Sequence, residues 1–306
     1  MRSNKIAKIT NTVQDTALSL ARGILLLGII YIIISPIFSI FIDAFKHEDD
    51  MFNPLVFMIP TQFTLENFRI ALRHMDYIGS LTASMTLSFG AMFLQLLVCS
   101  MTGYGFARFK FYGREVLFAI VILTIVVPIQ SYLLPLFTQF YDFNLFGFRA
   151  NLLNTYVPIF MMSALGMGLR SGLFIYLFRQ FFRGLPKEIE EAARIDGAGW
   201  FRTYAQVMLP NAAPAILTVS VFSFVWQFND TFFSTIFMSR LNLLPVRLTT
   251  FGSFLGGANI LDPEQFILIP LVVNAGIVLT VSPLIFLYFC VQRFFLEGIE
   301  RSGIVG

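Results

Sequence analysis

Trp226, Gln227, Asn229 and Asp230 stand almost side by side inside an otherwise apolar run. An indole face can stack on the C–H face of a sugar, while an amide and a carboxylate can bind its hydroxyls. The alternative for Trp226 is an anchor at a membrane–water boundary. Gln130 and Tyr132, beside Pro128, are a weaker version of the same arrangement. Arg170 sits in the middle of another apolar run. A charge there costs about 2.5–3.5 kcal/mol on insertion scales, so it must face protein or water. Two roles are open to it: lining a cavity, or clamping a neighbouring span. Ala164 and Gly168, four residues apart, suit close packing of two spans. Asp230 is a candidate partner for Arg170. Counted from the ends of their runs, both lie roughly 20–25 Å deep at the helical rise per residue.

Covalent chemistry finds no footing. The chain has no G-x-x-x-x-G-K-[ST] phosphate loop, G-x-S-x-G elbow or H-E-x-x-H pair. His47 and His74 lack metal-ligand spacing, and Cys99 with Cys290 makes no disulfide framework. No catalytic residue, metal ligand or cofactor is assigned to this chain.

The elements that must hold these residues are membrane helices. Of 306 residues, 57% are hydrophobic and 13% charged, with a mean hydropathy of +0.75. Soluble domains carry about 25% charged residues. The apolar runs exceed about 18 residues and do not alternate as outer-membrane strands do. The 37 phenylalanines read as filler against lipid.

The expected organisation is all-α, with six transmembrane helices. A polar segment, 1–22, precedes a first uncleaved span at 23–42 and a mixed loop to 79. In that loop Thr64 is placed to cap a helix. A core of five spans covers 80–293: about 80–107, 115–140 with Pro128 and Pro135 as kinks, 154–182, 211–238 and 266–292. A tail, 294–306, completes the chain. Gly252 and Gly256 form a lone GxxxG in what reads as a loop. Fourteen basic residues fall on one side of this scheme and six on the other, placing both termini in the cytosol.

One charged stretch breaks the apolar pattern, residues 186–210, PKEIEEAARIDGAGWFRTYAQVMLP. Pro186 and the carboxylates Glu188, Glu190 and Glu191 suit a helix start; Gly197 and Gly199 suit its end. Ile189, Ala192, Ala193 and Ile195 read as one narrow apolar face. The spacing predicts a short helix over 186–197, either a plain connector or a docking element.

The order Glu191-Ala192-Ala193, Gly197, Leu209-Pro210 resembles the EAA loop of ABC-importer permeases. Val207 stands where that family has isoleucine. Thr102-Gly103-Tyr104-Gly105-Phe106-Ala107-Arg108-Phe109, Phe63 to Phe68 and Gln292 to Ile299 are similar to the maltose-type, carbohydrate-uptake members. The resemblance implies the type I importer permease fold, in a bacterial or archaeal inner membrane. It implies a related permease subunit as partner in a heterodimer, two cytosolic ATPases that hold the ATP and magnesium, and an extracytoplasmic binding protein. No nucleic acid is expected. Carried over, Glu190, Glu191, Ala192, Ala193, Asp196, Gly197, Leu209 and Pro210 couple to the ATPase. Arg170, Trp226, Asn229, Asp230, Gln130 and Tyr132 would line the substrate path. The tail, Glu297 to Gly306, would reach the ATPase pair, although Ser302-Gly303-Ile304-Val305-Gly306 departs from the family's basic ending. Two rival readings are a permease for peptides, amino acids or phosphate, and a membrane protein without transport.

Overall fold

The computed structural model describes residues 2–51, 53, 59–257, 266 and 268–303. It is mostly helical, and the chain divides into two units. One comprises residues 1–73 and 252–279, the other 74–251 and 280–306.

In the first unit, helix α1 (Arg2–Ala44) carries a lipid-length apolar stretch, Leu18–Ala44, most of whose side chains are exposed. Beyond it the loop is built on hydrogen bonds. In the short helix α2 (Glu48–Met51), Asp50 accepts from the amides of Thr61 (2.8 Å) and Gln62 (3.2 Å) and from the Thr61 hydroxyl. The Thr61 hydroxyl, with these amides, holds the Asp50 carboxyl below the usual carboxylate range. Asn67 donates to the carbonyls of Ala44 and Lys46, and Phe68 packs on Phe45 at 4.7 Å. Helix α3 (Glu66–His74) begins with Thr64 accepting from the Glu66 amide, as expected of a capping residue.

The second unit is arranged around α4 (Tyr77–Arg108). Its buried face reads Ser80, Ser84, Ser88, Ala91, Gln95, Cys99 and Gly103, small or slim side chains about a turn apart. Such a stripe lets neighbouring backbones approach closely. At Gly103 an added Cβ would stand 2.6 Å from the Phe178 Cβ and 2.9 Å from the Arg179 amide nitrogen.

The later expected spans are broken. The third is α5 (Arg114–Val126), a 3-10 turn at Ile129–Ser131 and α6 (Leu133–Tyr141). The break falls at Pro128; Pro135 sits harmlessly in the first turn of α6, where its missing N–H is no loss. The fourth is α7 (Val157–Ala164) and α8 (Ser171–Gly184). The fifth is α12 (Ala213–Phe228) and α13 (Phe232–Phe237). Helices α7, α8 and α12 pack on α4. Among the described residues three helices are long and apolar enough to cross a bilayer, or four if Trp200–Asn211 and Ala213–Phe228, bent by 79°, are one span.

Three further expectations are corrected. Phenylalanine is not only lipid filler: Phe174, Phe178, Phe182, Phe224, Phe228 and Phe237 are among the largest fully buried side chains, and Phe178 lies against Gly103 of α4. Gly168 does not share a stripe with Ala164, because α7 ends at Ala164 and α8 begins only at Ser171. Gly168 faces Gln95 and Ser163, Gly172 faces Val121 and Thr124, and Ala164 is exposed. Gly252 and Gly256 lie in a helix, α14 (Leu244–Gly257), not a loop. An antiparallel hairpin, β1 (Phe143–Leu145) with β2 (Phe148–Ala150), joins the helices, turned by Phe146 and Gly147 at positive φ. The last helix, α15 (Ile269–Gly303), contains a stretch long and apolar enough to cross a bilayer, Ile269–Phe294, where the sixth span is expected; Ile304, Val305 and Gly306 of the tail lie outside the described residues.

Candidate functional site

The helix predicted over 186–197 is α9 (Lys187–Ile195), with Pro186 at its cap and Glu188 and Glu190 in its first turn. Its end is a Schellman motif: Ala198 N–H donates to Ala193 O and Gly197 N–H to Arg194 O, both at 3.0 Å. Gly197 has φ 81°, a conformation that disfavours any residue with a Cβ.

The expected single apolar face is two faces. Residues advance about 100° each around a helix, so Ile195 points nearly opposite Ala193. Ala193 is buried and Ile189 half-buried, while Ala192 is exposed and Ile195 is 86% exposed. The acids divide the same way. Glu191 and Asp196 are exposed, whereas Glu190 is buried at 5%.

Glu190 turns inward onto the last turn of α4. Its carboxylate accepts from the Tyr104 hydroxyl (3.0 Å) and from Arg194 (2.5 Å), and Arg108 Nε lies 3.5 Å away. Arg108 also donates to the Leu185 carbonyl at 2.7 Å, tying the linker before α9 to the same point. Tyr104 is itself wedged among Phe109, Phe182 and Tyr204, and Tyr204 shares a 2.7 Å hydrogen bond with Ser100. On the other side Arg194 stacks 3.7 Å over Trp200, which meets Phe109 edge-on. The assembly fastens α9 to α4 and leaves Glu191, Ala192, Ile195 and Asp196 facing outward.

After α9 come a turn of helix, α10 (Trp200–Arg202), a π-helical segment at Thr203–Met208 and α11 (Leu209–Asn211). Pro210 accounts for the widening, since its ring would crowd the carbonyl one turn back in a regular helix. Leu209 is half-buried and Pro210 exposed.

The residues expected along a substrate path are only partly brought together. Arg170 is not mid-helix: it precedes α8 in a left-handed conformation, φ 61°, and its guanidinium lies 5.6 Å from the Trp226 ring centre. Trp226 is half-buried, stacked between Phe174 and Phe222. Asp230 does not pair with Arg170. It accepts from the amides of Phe233 and Ser234 and from the Ser234 hydroxyl, capping α13 after the break. Asn229 is exposed and donates to the Val225 carbonyl. Gln130 is exposed at the 3-10 turn and Tyr132 half-buried beside it; among the described residues neither bonds to the Trp226 patch.

One polar centre was missed. Gln95 of α4 donates to the Leu169 carbonyl (2.9 Å) and the Ser171 hydroxyl (3.1 Å), and accepts from the Ser223 hydroxyl. It joins α4, α8 and α12 across the broken fourth span. The signal was present in the sequence: a lone amide within the apolar run 91–99.

Comparison with known proteins gives a consistent picture. Residues 97–301 match the family described as "Binding-protein-dependent transport system inner membrane component". The alpha-glucoside transport system permease protein AglG of Rhizobium meliloti is 32% identical over 252 residues, 81% of this chain and 62% of its own length, so the chain spans less than two thirds of that relative. The osmoprotective compounds uptake permease protein GgtD of Synechocystis is 28% identical, with 98% of each chain covered. The crystal structure of a bacterial ABC transporter involved in the import of the acidic polysaccharide alginate contains a chain of the same fold. It superposes with a TM-score of 0.76 at 20% identity, over 92% of this chain and 98% of that one.

Proposed function

The chain belongs to the inner-membrane components of binding-protein-dependent transport systems, and from that premise we propose that it is the transmembrane subunit of an ATP-driven importer for a sugar or oligosaccharide. The two-sided α9 is the observation that carries the reading. A helix bound inward by one carboxylate and presenting Glu191, Ala192, Ile195 and Asp196 outward is suited to transmit force between a cytosolic motor and the spans.

Six spans with both termini in the cytosol put α9 on the side where the basic residues accumulate. The partners are a related permease subunit, two ATPases holding ATP and magnesium, and an extracytoplasmic binding protein. ATP binding closes the ATPase pair and displaces α9. Because Glu190 ties α9 to Tyr104 and Arg108, α4 moves with it, and the spans pass from inward-open to outward-open. The substrate then leaves its binding protein for the cavity. This chain makes and breaks no covalent bond.

Support for a sugar comes from relatives named for α-glucosides and arabinooligosaccharides. GgtD, matched over nearly its whole length and named for osmoprotective compounds, favours a second reading in which the solute lies outside the oligosaccharides. Uptake of a panel of radiolabelled solutes separates the two: oligosaccharide uptake competed by related sugars is expected, and uptake of small osmolytes alone would favour the second. For the coupling role, Ile195→Cys should crosslink to the ATPase subunit in the assembled transporter. A helix that crosslinks to nothing cytosolic, or a Glu191→Lys variant with undiminished uptake, would remove it.

A further inference from the structure

Arg170 is a cation without an acid. It is exposed, and among the described residues no carboxylate lies within 4.0 Å of its guanidinium. Asp230, the acid expected beside it, is taken by the Phe233 and Ser234 amides and the Ser234 hydroxyl. The Arg170 carbonyl accepts from the Leu173 and Phe174 amides, so the residue is fixed at the head of α8. Helix α8 has 14 residues and is about 21 Å long, and Arg170 stands at the end away from α9. A charge that deep in an apolar run is costly unless water or an opposite charge meets it.

The surroundings of this cation are flat and apolar, with one polar group. The guanidinium lies 5.6 Å from the Trp226 ring centre, and Trp226 stacks on Phe222 at 5.3 Å with 15° between the planes. Phe222, Trp226 and Asn229 follow at i, i+4 and i+7, so they share one face of α12 and its cap. Phe222 is 45% exposed. Asn229 is also exposed; its amide nitrogen donates to the Val225 carbonyl, and its amide oxygen has no partner among the described residues.

A guanidinium is a planar fork that meets a carboxylate with two parallel N–H bonds. A phenyl ring beside it suits the C–H face of a sugar, and an amide oxygen accepts from a sugar hydroxyl. A neutral sugar would use the ring and the amide and leave the positive charge unanswered. We propose, resting on the sugar reading above, that this face receives a sugar unit bearing a carboxylate: Arg170 on the carboxylate, Phe222 against the ring and Asn229 on a hydroxyl. The rival source of negative charge is an acid of the partner permease, which would need neither the ring nor the amide.

The assembled transporter in proteoliposomes, with ATP inside and its binding protein outside, provides the test. It is offered radiolabelled trimers of galacturonate, mannuronate and guluronate, the carboxyl-reduced form of each, and maltotriose. At least one uronate trimer should be taken up. In Arg170→Gln the ratio of acidic to carboxyl-reduced uptake should fall by about 10–100-fold, the worth of a hydrogen bond between charged groups. Arg170→Lys, which keeps the charge without the fork, should lose less. An unchanged ratio in Arg170→Gln would overturn the assignment. Loss of the partner permease from the purified Arg170→Gln complex would also overturn it and give the charge to a subunit contact. Uptake of maltotriose with none of the uronate trimers would overturn it while leaving the sugar reading intact; uptake of no sugar at all would remove both.

Discussion

The two charged regions of this chain handle their charge in opposite ways. At the junction of α4 and α9, Glu190 reaches across 86 residues of sequence to Tyr104, and Arg108 reaches back to it and to Leu185. Within the apolar runs, Asp230 is satisfied by Phe233 and Ser234 just after it, while Arg170 stands at the start of α8 without a side-chain capping bond, its guanidinium 5.6 Å from the Trp226 ring centre. The charges at the end of α4 join elements, whereas the Asp230 carboxylate is absorbed by the helix interruption that carries it. The difference follows from what is available. An interruption frees backbone amides, which are strong local donors to a carboxylate. A complete helix such as α4 offers none, so its terminal charges must look elsewhere.

The largest expected effect tests the junction. Glu190→Ala strands the buried Arg108 guanidinium and should cost about 3 kcal/mol, read as a fall in thermal midpoint of the purified transporter. Glu191→Lys, one residue on but exposed, should stay within about 0.5 kcal/mol while abolishing uptake. Equal destabilisation by the two would erase the distinction between the faces. Next comes packing at the same junction. Gly103→Ala must displace the backbone of α8 and should cost about 1–3 kcal/mol by the same measurement.

The interior region should respond less. Asp230→Ala removes a cap and should cost about 1 kcal/mol. Exchanging Arg170 and Asp230 should rescue neither single variant's uptake, because the two are not a pair; rescue would make the interior behave like the junction. The smallest effect is expected in the loop after α1. The Asp50 carboxyl is held below its ordinary range, so its contribution is present at neutral pH and lost as pH falls through its lowered folded value, below about pH 4. Limited acid proteolysis at the loop should accelerate there, and less so for Asp50→Asn, which lacks the titration.

Much of the α9 region was legible because its signals are local. Pro186, the following acids and Gly197 state a start and a stop within a few residues, and the Schellman hydrogen bonds match that reading. What could not be read was which of Glu190 and Glu191 turns inward, since that depends on Tyr104 and Arg108. The break in the third span carried a proline and was anticipated. The breaks in the fourth and fifth carry none. They are made by Gly166 and Arg170 in left-handed conformations and by the side chain of Asp230, so the apolar runs hid them. Helix α14, at 14 residues, is too short to register as a span and passed for a loop.

Three fastenings at one end of α4 also set how far a small push can travel. A helix of 32 residues is a strut about 48 Å long, and tilting it by about 10° sweeps its far tip some 8 Å sideways. Leverage on that scale is comparable to the width of a helix. A modest shove on the exposed flank of α9 would thus emerge as a wide swing at the opposite end of α4, with the unbroken strut as the gear.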